Sequence, residues 1–127
     1  MSKLTWAAQI FLALAFAAAG VSKVLTPIPD LLEMGMWWIE DFAHWQVRAI
    51  GALEALGALG LLVPYAIKAL PRVLVPAAAG GLALTMIGAI ITHVTRQDPV
   101  PSIVVTTVLF ALCAGVAARR WKELARG

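Results

Sequence analysis

The chain has 127 residues, of which 61% are hydrophobic and 13% charged, and its mean hydropathy is +0.88. This excludes an ordinary soluble domain, where about half the residues are apolar and about a quarter charged, and the length leaves no room for a separate soluble module. The net charge of +3 comes from the chain ends and one loop, so it reads as membrane topology and not as nucleic-acid binding. The one cysteine, Cys113, lies inside an apolar run, which excludes intramolecular thiol–disulfide chemistry and a cysteine-based metal site.

Residues 4–25 form the first apolar run, preceded by Lys3. Ala17-Ala18-Ala19 resembles a signal-peptidase site, but the run is long enough to span a bilayer and is assigned as a transmembrane helix. Pro27-Ile28-Pro29 should end it, because proline cannot continue the hydrogen-bond ladder. Residues 30–45 mix Asp30, Glu33, Glu40 and Asp41 with Trp37, Trp38 and Trp45. The segment is too polar to span and carries the indole rings typical of a membrane–water interface. It is expected to form a short interfacial helix over the mouth of the bundle, either as an anchor or as a lid.

The second span is expected over residues 46–63, stopping at Pro64, and the third over 73–94, with Pro76 tolerated in its first turn. The fourth is expected over 102–121, after the turn Arg96-Gln97-Asp98-Pro99-Val100-Pro101. The fold class is therefore all-α: an integral-membrane, antiparallel four-helix bundle with a short interfacial helix between helices 1 and 2. Helices 1 and 3 both end in a basic residue before a Pro-x-Pro stop, a faint repeat that alanine-rich composition also explains.

Lys3, the Lys68/Arg72 loop and the tail from Arg119 to Arg126 fall on one side of such a bundle, and the acidic tryptophan segment on the other. The excess of Lys and Arg places both termini in the cytoplasm of a multi-pass plasma (inner) membrane protein. Lys23, Arg48, Glu54, His93 and Arg96 then all lie in the outer half, and the inner half is expected to hold no titratable group.

Glu54 sits in the small-residue run Ile50-Gly51-Ala52-Leu53-Glu54-Ala55-Leu56-Gly57. A carboxylate at a helix centre costs about 3 kcal/mol to insert, so it should face protein or a water-filled cavity and have a partner. Gly51, Glu54, Gly57 and Ala58 share one face, which lets a neighbouring helix approach closely. Arg48 lies on the opposite face, so the partner should come from another helix. Phe16, Gly20, Lys23 and Pro27 form one stripe on helix 1; Thr85, Ala89, Thr92 and Arg96 form one on helix 3, with Met86 and His93 beside it. The candidate ligand-binding residues are Lys23, Glu54 and His93, with Trp37, Trp38, Arg48 and Arg96 around them. The bland reading stays open: a snorkelling Lys23, a carbonyl-bonded His93 and a purely structural cluster.

A Glu, a His and a Lys can move protons or hydrogen-bond a carbonyl group, which suits a quinone head. They do not make a metal site. A bis-histidine haem would need His44, which the sequence puts in a loop.

Gly20-Val21-Ser22-Lys23, Ile50-Gly51-Ala52-Leu53-Glu54 with Gly57 and Pro64, and Gly88-Ala89-Ile90-Ile91-Thr92-His93 occur in the order and spacing of one family. The sequence resembles the DoxX-like family of small four-helix membrane proteins over nearly its whole length. That resemblance implies varied roles: a subunit of an archaeal thiosulfate:quinone oxidoreductase, a component of a mycobacterial membrane oxidoreductase complex, and an animal chaperone for nicotinic receptor assembly. Vitamin K epoxide reductase-type bundles need a thiol pair and are set aside.

The leading expectation is a bilayer-embedded binding or accessory protein. Its polar pocket would open outward and take a small lipophilic molecule, a quinone or a lipid, in envelope redox processes. An enzymatic role, if there is one, would be that of a quinone-linked oxidoreductase subunit. The alternative is an assembly factor that contacts other membrane proteins, or a second copy of itself, through the small faces at Gly57/Ala58, Ala111/Gly115 or Ala114/Ala118.

Overall fold

A computed structural model describes residues 2–127. Four long helices, α1 (Lys3–Leu25), α3 (His44–Ala66), α4 (Leu74–Arg96) and α5 (Val100–Arg126), are each long and apolar enough to cross a membrane. Between α1 and α3 lie a six-residue helix, α2 (Ile28–Glu33), and a 3-10 turn, Trp37–Asp41. Among the described residues there is no strand.

Local chemistry sets the ends. The Ser2 side chain accepts a hydrogen bond from the Thr5 amide at 3.3 Å and caps α1. Thr26, held extended by the proline that follows, closes it. The segment after it forms two pieces and not one helix, because Gly35 at φ +91° turns the chain between them. The Gln46 side chain accepts from the Ala43 amide at 2.9 Å at the start of α3.

The helix starts fall within two residues of the sequence expectation, but two ends run well past it. α3 does not stop at Pro64 but runs on to Ala66. Proline there removes one hydrogen bond in the final turns, and the Ile67 amide closes the helix by donating to Val63 at 2.9 Å. α5 continues through the basic tail to Arg126, since Arg, Lys, Glu, Leu and Ala are all good helix formers.

The spans are antiparallel in chain order. α1 packs most extensively on α3 and α4 on α5; α3 meets α4, and the α1–α5 seam is the least closely packed. Leu12, Phe16, Ala58, Leu61, Ala79, Leu82, Met86, Cys113 and Val116 form the shared core. A second small core of Leu31, Ile39 and Val47 seats the connecting segment on the start of α3. Large apolar side chains such as Phe11, Leu14, Leu56, Leu84, Ile91 and Val105 point outward. On a soluble protein this would be untenable; on a bundle in lipid it is the expected surface.

Candidate functional site: an apolar cavity with a charged corner beneath the tryptophan segment

The site begins with a backbone contact. A Cβ placed on Gly20 would lie 2.5 Å from the Gly51 carbonyl oxygen and 2.6 Å from the Ala55 amide; one on Gly51 would lie 2.6 Å from the Lys23 Cβ. Only glycine fits at either position, and α1 and α3 cross there in direct contact. One turn beyond, Lys23 Nζ donates to Glu54 Oε1 at 2.7 Å. Glu54 is 2% exposed and Lys23 8%. The pair is an inter-helix ion pair in a low-dielectric setting, where each charge is viable only because the other is present.

Arg48 completes this corner from the backbone side. Its guanidinium donates to the Lys23 carbonyl at 2.8 Å and also to the Thr26 carbonyl. It thereby satisfies carbonyls left open at the end of α1. It does not line the cavity; it fixes the turn that carries Lys23.

Lys23 and Glu54 form part of the wall of a cavity of about 480 Å³, within the size range of small-molecule sites. Phe16 and Ala19 of α1, Ile50 and Leu53 of α3, and Met86, Gly88 and Ala89 of α4 supply its apolar surface. Thr85, Thr92 and Thr106 also line it, and each hydroxyl donates to a carbonyl of its own helix at 2.8–3.0 Å. Trp38 and Phe42 close one end, edge to face at 5.5 Å between ring centroids. The Lys23 ammonium stands 5.8 Å from the Trp38 ring centroid, within cation–π range. A Cβ on Gly88 would meet nothing within 4 Å, so that glycine faces open space.

His93 lines the same cavity but does not reach Glu54. Its Nδ1 lies 2.7 Å from Asp98 Oδ2. The end of α4 explains this. Gln97 takes the left-handed conformation, φ 59° and ψ 39°; its amide donates to Val94 and the Asp98 amide to His93. This is a Schellman closure, and it folds Asp98 back over the last turn beside the imidazole. Arg96 bridges outward from there, donating to Asp98 at 3.2 Å and to Asp41 of the 3-10 turn at 2.7 Å. A polar chain of His93, Asp98, Arg96 and Asp41 thus ties α4 to the segment that covers the cavity. The hydrogen bond from His93, aided by Arg96, holds the Asp98 carboxyl below the usual carboxylate range, against an opposing effect of burial.

The two tryptophans separate. Trp38 is in the wall, whereas Trp37 is 56% exposed and is not. Asp98 was invisible as a histidine partner in sequence, because its position depends on the left-handed turn at Gln97, a residue that carries no glycine-like signal.

The expectation that the half nearer the termini lacks titratable groups is overturned. Arg120 of α5 is 2% exposed. It donates to the Gln9 side chain of α1 at 2.8 Å and to Glu123 at 2.9 Å, and stacks on Trp6 at 4.5 Å. Gln9 in turn donates to the Leu61 carbonyl of α3. Arg120 therefore clamps three helices in place of pointing into solvent with the rest of the tail. Its Nη2 has no hydrogen-bond partner among the described residues. Nor do those residues gather three His, Cys, Asp or Glu side chains in one place, as a metal site needs.

Four apolar spans, an outward-facing apolar surface and a buried inter-helix ion pair define a small multi-pass membrane bundle. The sequence model of the DoxX-like family matches residues 7–116, and the chain belongs to that family. No curated protein and no solved structure matches it.

Proposed function

We propose that the chain binds a small, neutral, lipophilic molecule with a polar head, of quinone or lipid type, as an accessory component of redox processes in the plasma membrane. The observation that carries this reading is the Lys23–Glu54 pair in the wall of a cavity that is otherwise mainly apolar. The pair cancels its own charge, so a neutral guest leaves no ion stranded, whereas a charged one would. Lys23 engages Glu54 Oε1, which leaves Oε2 to accept from a hydroxyl. Lys23 retains donors for a carbonyl. With Nδ1 turned to Asp98, His93 offers Nε2, which accepts when the ring is neutral and donates when it is protonated. A quinone fits this set, since its carbonyls accept and the reduced hydroxyls donate. Leu53 is exposed although it lines the cavity, which supports access from the lipid side.

Lys3, Lys68, Arg72, Arg119, Lys122 and Arg126 all lie at the end of the bundle that holds both termini. By the Lys/Arg excess that end faces the cytoplasm, and the cavity lies toward the outer surface.

The test is a titration of the purified chain with a short-chain quinone, read by quenching of tryptophan fluorescence, with Trp38→Phe identifying the reporter. The expected result is saturable quenching that Gly88→Leu, which fills open space, weakens at least tenfold. Linear, non-saturating quenching that is the same in wild type and Gly88→Leu would overturn the reading.

A further inference from the structure

We propose a second site, independent of the cavity above: the groove between α1 and α5 at the end near the termini binds one anionic phospholipid. The groove encloses about 350 Å³ along the least closely packed seam of the bundle. Its walls grade in polarity. Ala8, Ala111, Leu112 and Gly115 lie toward the membrane interior, and the polar groups, Ser2, Thr5 and Arg119, lie with Leu4 at the end near the termini. A Cβ on Gly115 would meet nothing within 4 Å, so this small-residue stretch is not filled by the chain itself. The contrast with Gly20 and Gly51, whose missing side chains are replaced by a neighbouring backbone, is direct.

The depth of Arg119 matches a head group. It follows Val100 by 19 residues of continuous helix, which is about 29 Å at 1.5 Å per residue. The hydrocarbon core is about 30 Å thick. If Val100 marks one boundary, Arg119 stands at the other. The two adjacent arginines divide their roles. Arg120 turns inward and is taken up by Gln9, Glu123 and Trp6. Arg119 is exposed and has no ion-pair partner among the described residues. A cation at head-group depth above an open apolar groove matches a phosphate on an acyl chain. A second copy of this chain offers no such match, because it would bring its own Arg119 to the same level.

The full-length chain in detergent, examined by native mass spectrometry with phosphatidylglycerol and phosphatidylcholine in competition, tests this. Wild type should retain one phosphatidylglycerol with about fivefold preference, the order expected for one cation at the surface. Arg119→Gln should abolish the preference and Arg119→Lys keep it. Gly115→Leu or Ala111→Leu should lose the tightly held lipid of either type, with helicity by circular dichroism unchanged. Equal retention of the two lipids by wild type, or an undiminished preference in Arg119→Gln, would overturn the proposal. So would competition by glycerol phosphate as strong as by the lipid, or a dimer that Gly115→Leu dissociates.

Discussion

Gly20 and Gly51 touch backbone to backbone, with no space for a Cβ on either, and the Lys23–Glu54 contact depends on that crossing. The crossing fixes which faces of α1 and α3 meet, and one turn beyond it Lys23 and Glu54 stand opposite each other at 2.7 Å. Gly20→Ala or Gly51→Ala should separate the helices, lengthen the ion pair and destabilise the bundle by about 2–3 kcal/mol, the upper part of the overpacking range, because the clash is with backbone. Gly81→Ala, where a Cβ meets nothing within 4 Å, should instead stabilise by about 0.5–1 kcal/mol through helix propensity. Denaturant unfolding in micelles would separate these outcomes.

The pair itself should show strong coupling. Glu54→Leu leaves the Lys23 ammonium buried without its partner and should cost about 3 kcal/mol, the lower end of the range for a broken buried pair, because the ammonium still borders the cavity. Lys23→Leu with Glu54→Leu should recover most of this. The measurement is a double-mutant cycle, and a double variant as unstable as the sum of the singles would show that the pair is not coupled.

Asp98 gives a pH dependence. Its carboxyl is held below its ordinary value by His93 and Arg96, so in acid the folded chain binds fewer protons than the unfolded one. The stability it contributes is complete above the unfolded pKa of about 3.9 and is lost as pH falls through the lower folded value. Thermal melts between about pH 2 and 5 should therefore show stability rising with pH up to about pH 4 and then levelling, and Asp98→Asn should flatten that rise. An unchanged slope in the variant would assign the acid loss to other carboxylates.

The covering segment should be held lightly. Asp41 is a largely exposed partner of Arg96, and such pairs contribute at most about 1 kcal/mol. Arg96→Gln should leave global stability nearly unchanged but raise hydrogen exchange several-fold in residues 35–43, which hinge at Gly35. Equal exchange in wild type and variant would mean that the second small core of Leu31, Ile39 and Val47 alone holds the segment.

Much of the fold could be read in advance, because the four apolar runs and their proline-marked turns are local signals. Glu54 could be read as inward-facing because glycine and alanine share its face, and Gly20 and Lys23 share a stripe on α1. What could not be read depends on contacts distant in sequence or on a single dihedral. Arg120 looks like one more tail cation until α1 brings Gln9 and Trp6 against it, and the Gln9 contact spans 111 positions. Asp98 lies in a turn beside a proline, and only the left-handed Gln97 swings it onto His93. Trp37 and Trp38 are equivalent as composition; the 3-10 geometry turns one inward and the other out.

The occupancy of the cavity is the central question. Photolysis of the full-length chain in lipid vesicles with an azido-substituted short-chain quinone, followed by peptide mapping, addresses it most directly. The account predicts labelling on the peptides carrying Lys23, Trp38, Met86 and His93, suppressed by excess unlabelled quinone and lost in Gly88→Leu. Labelling spread over outward-facing positions such as Phe11, Leu56 and Val105, not competed by excess quinone and unaffected by Gly88→Leu, would contradict it.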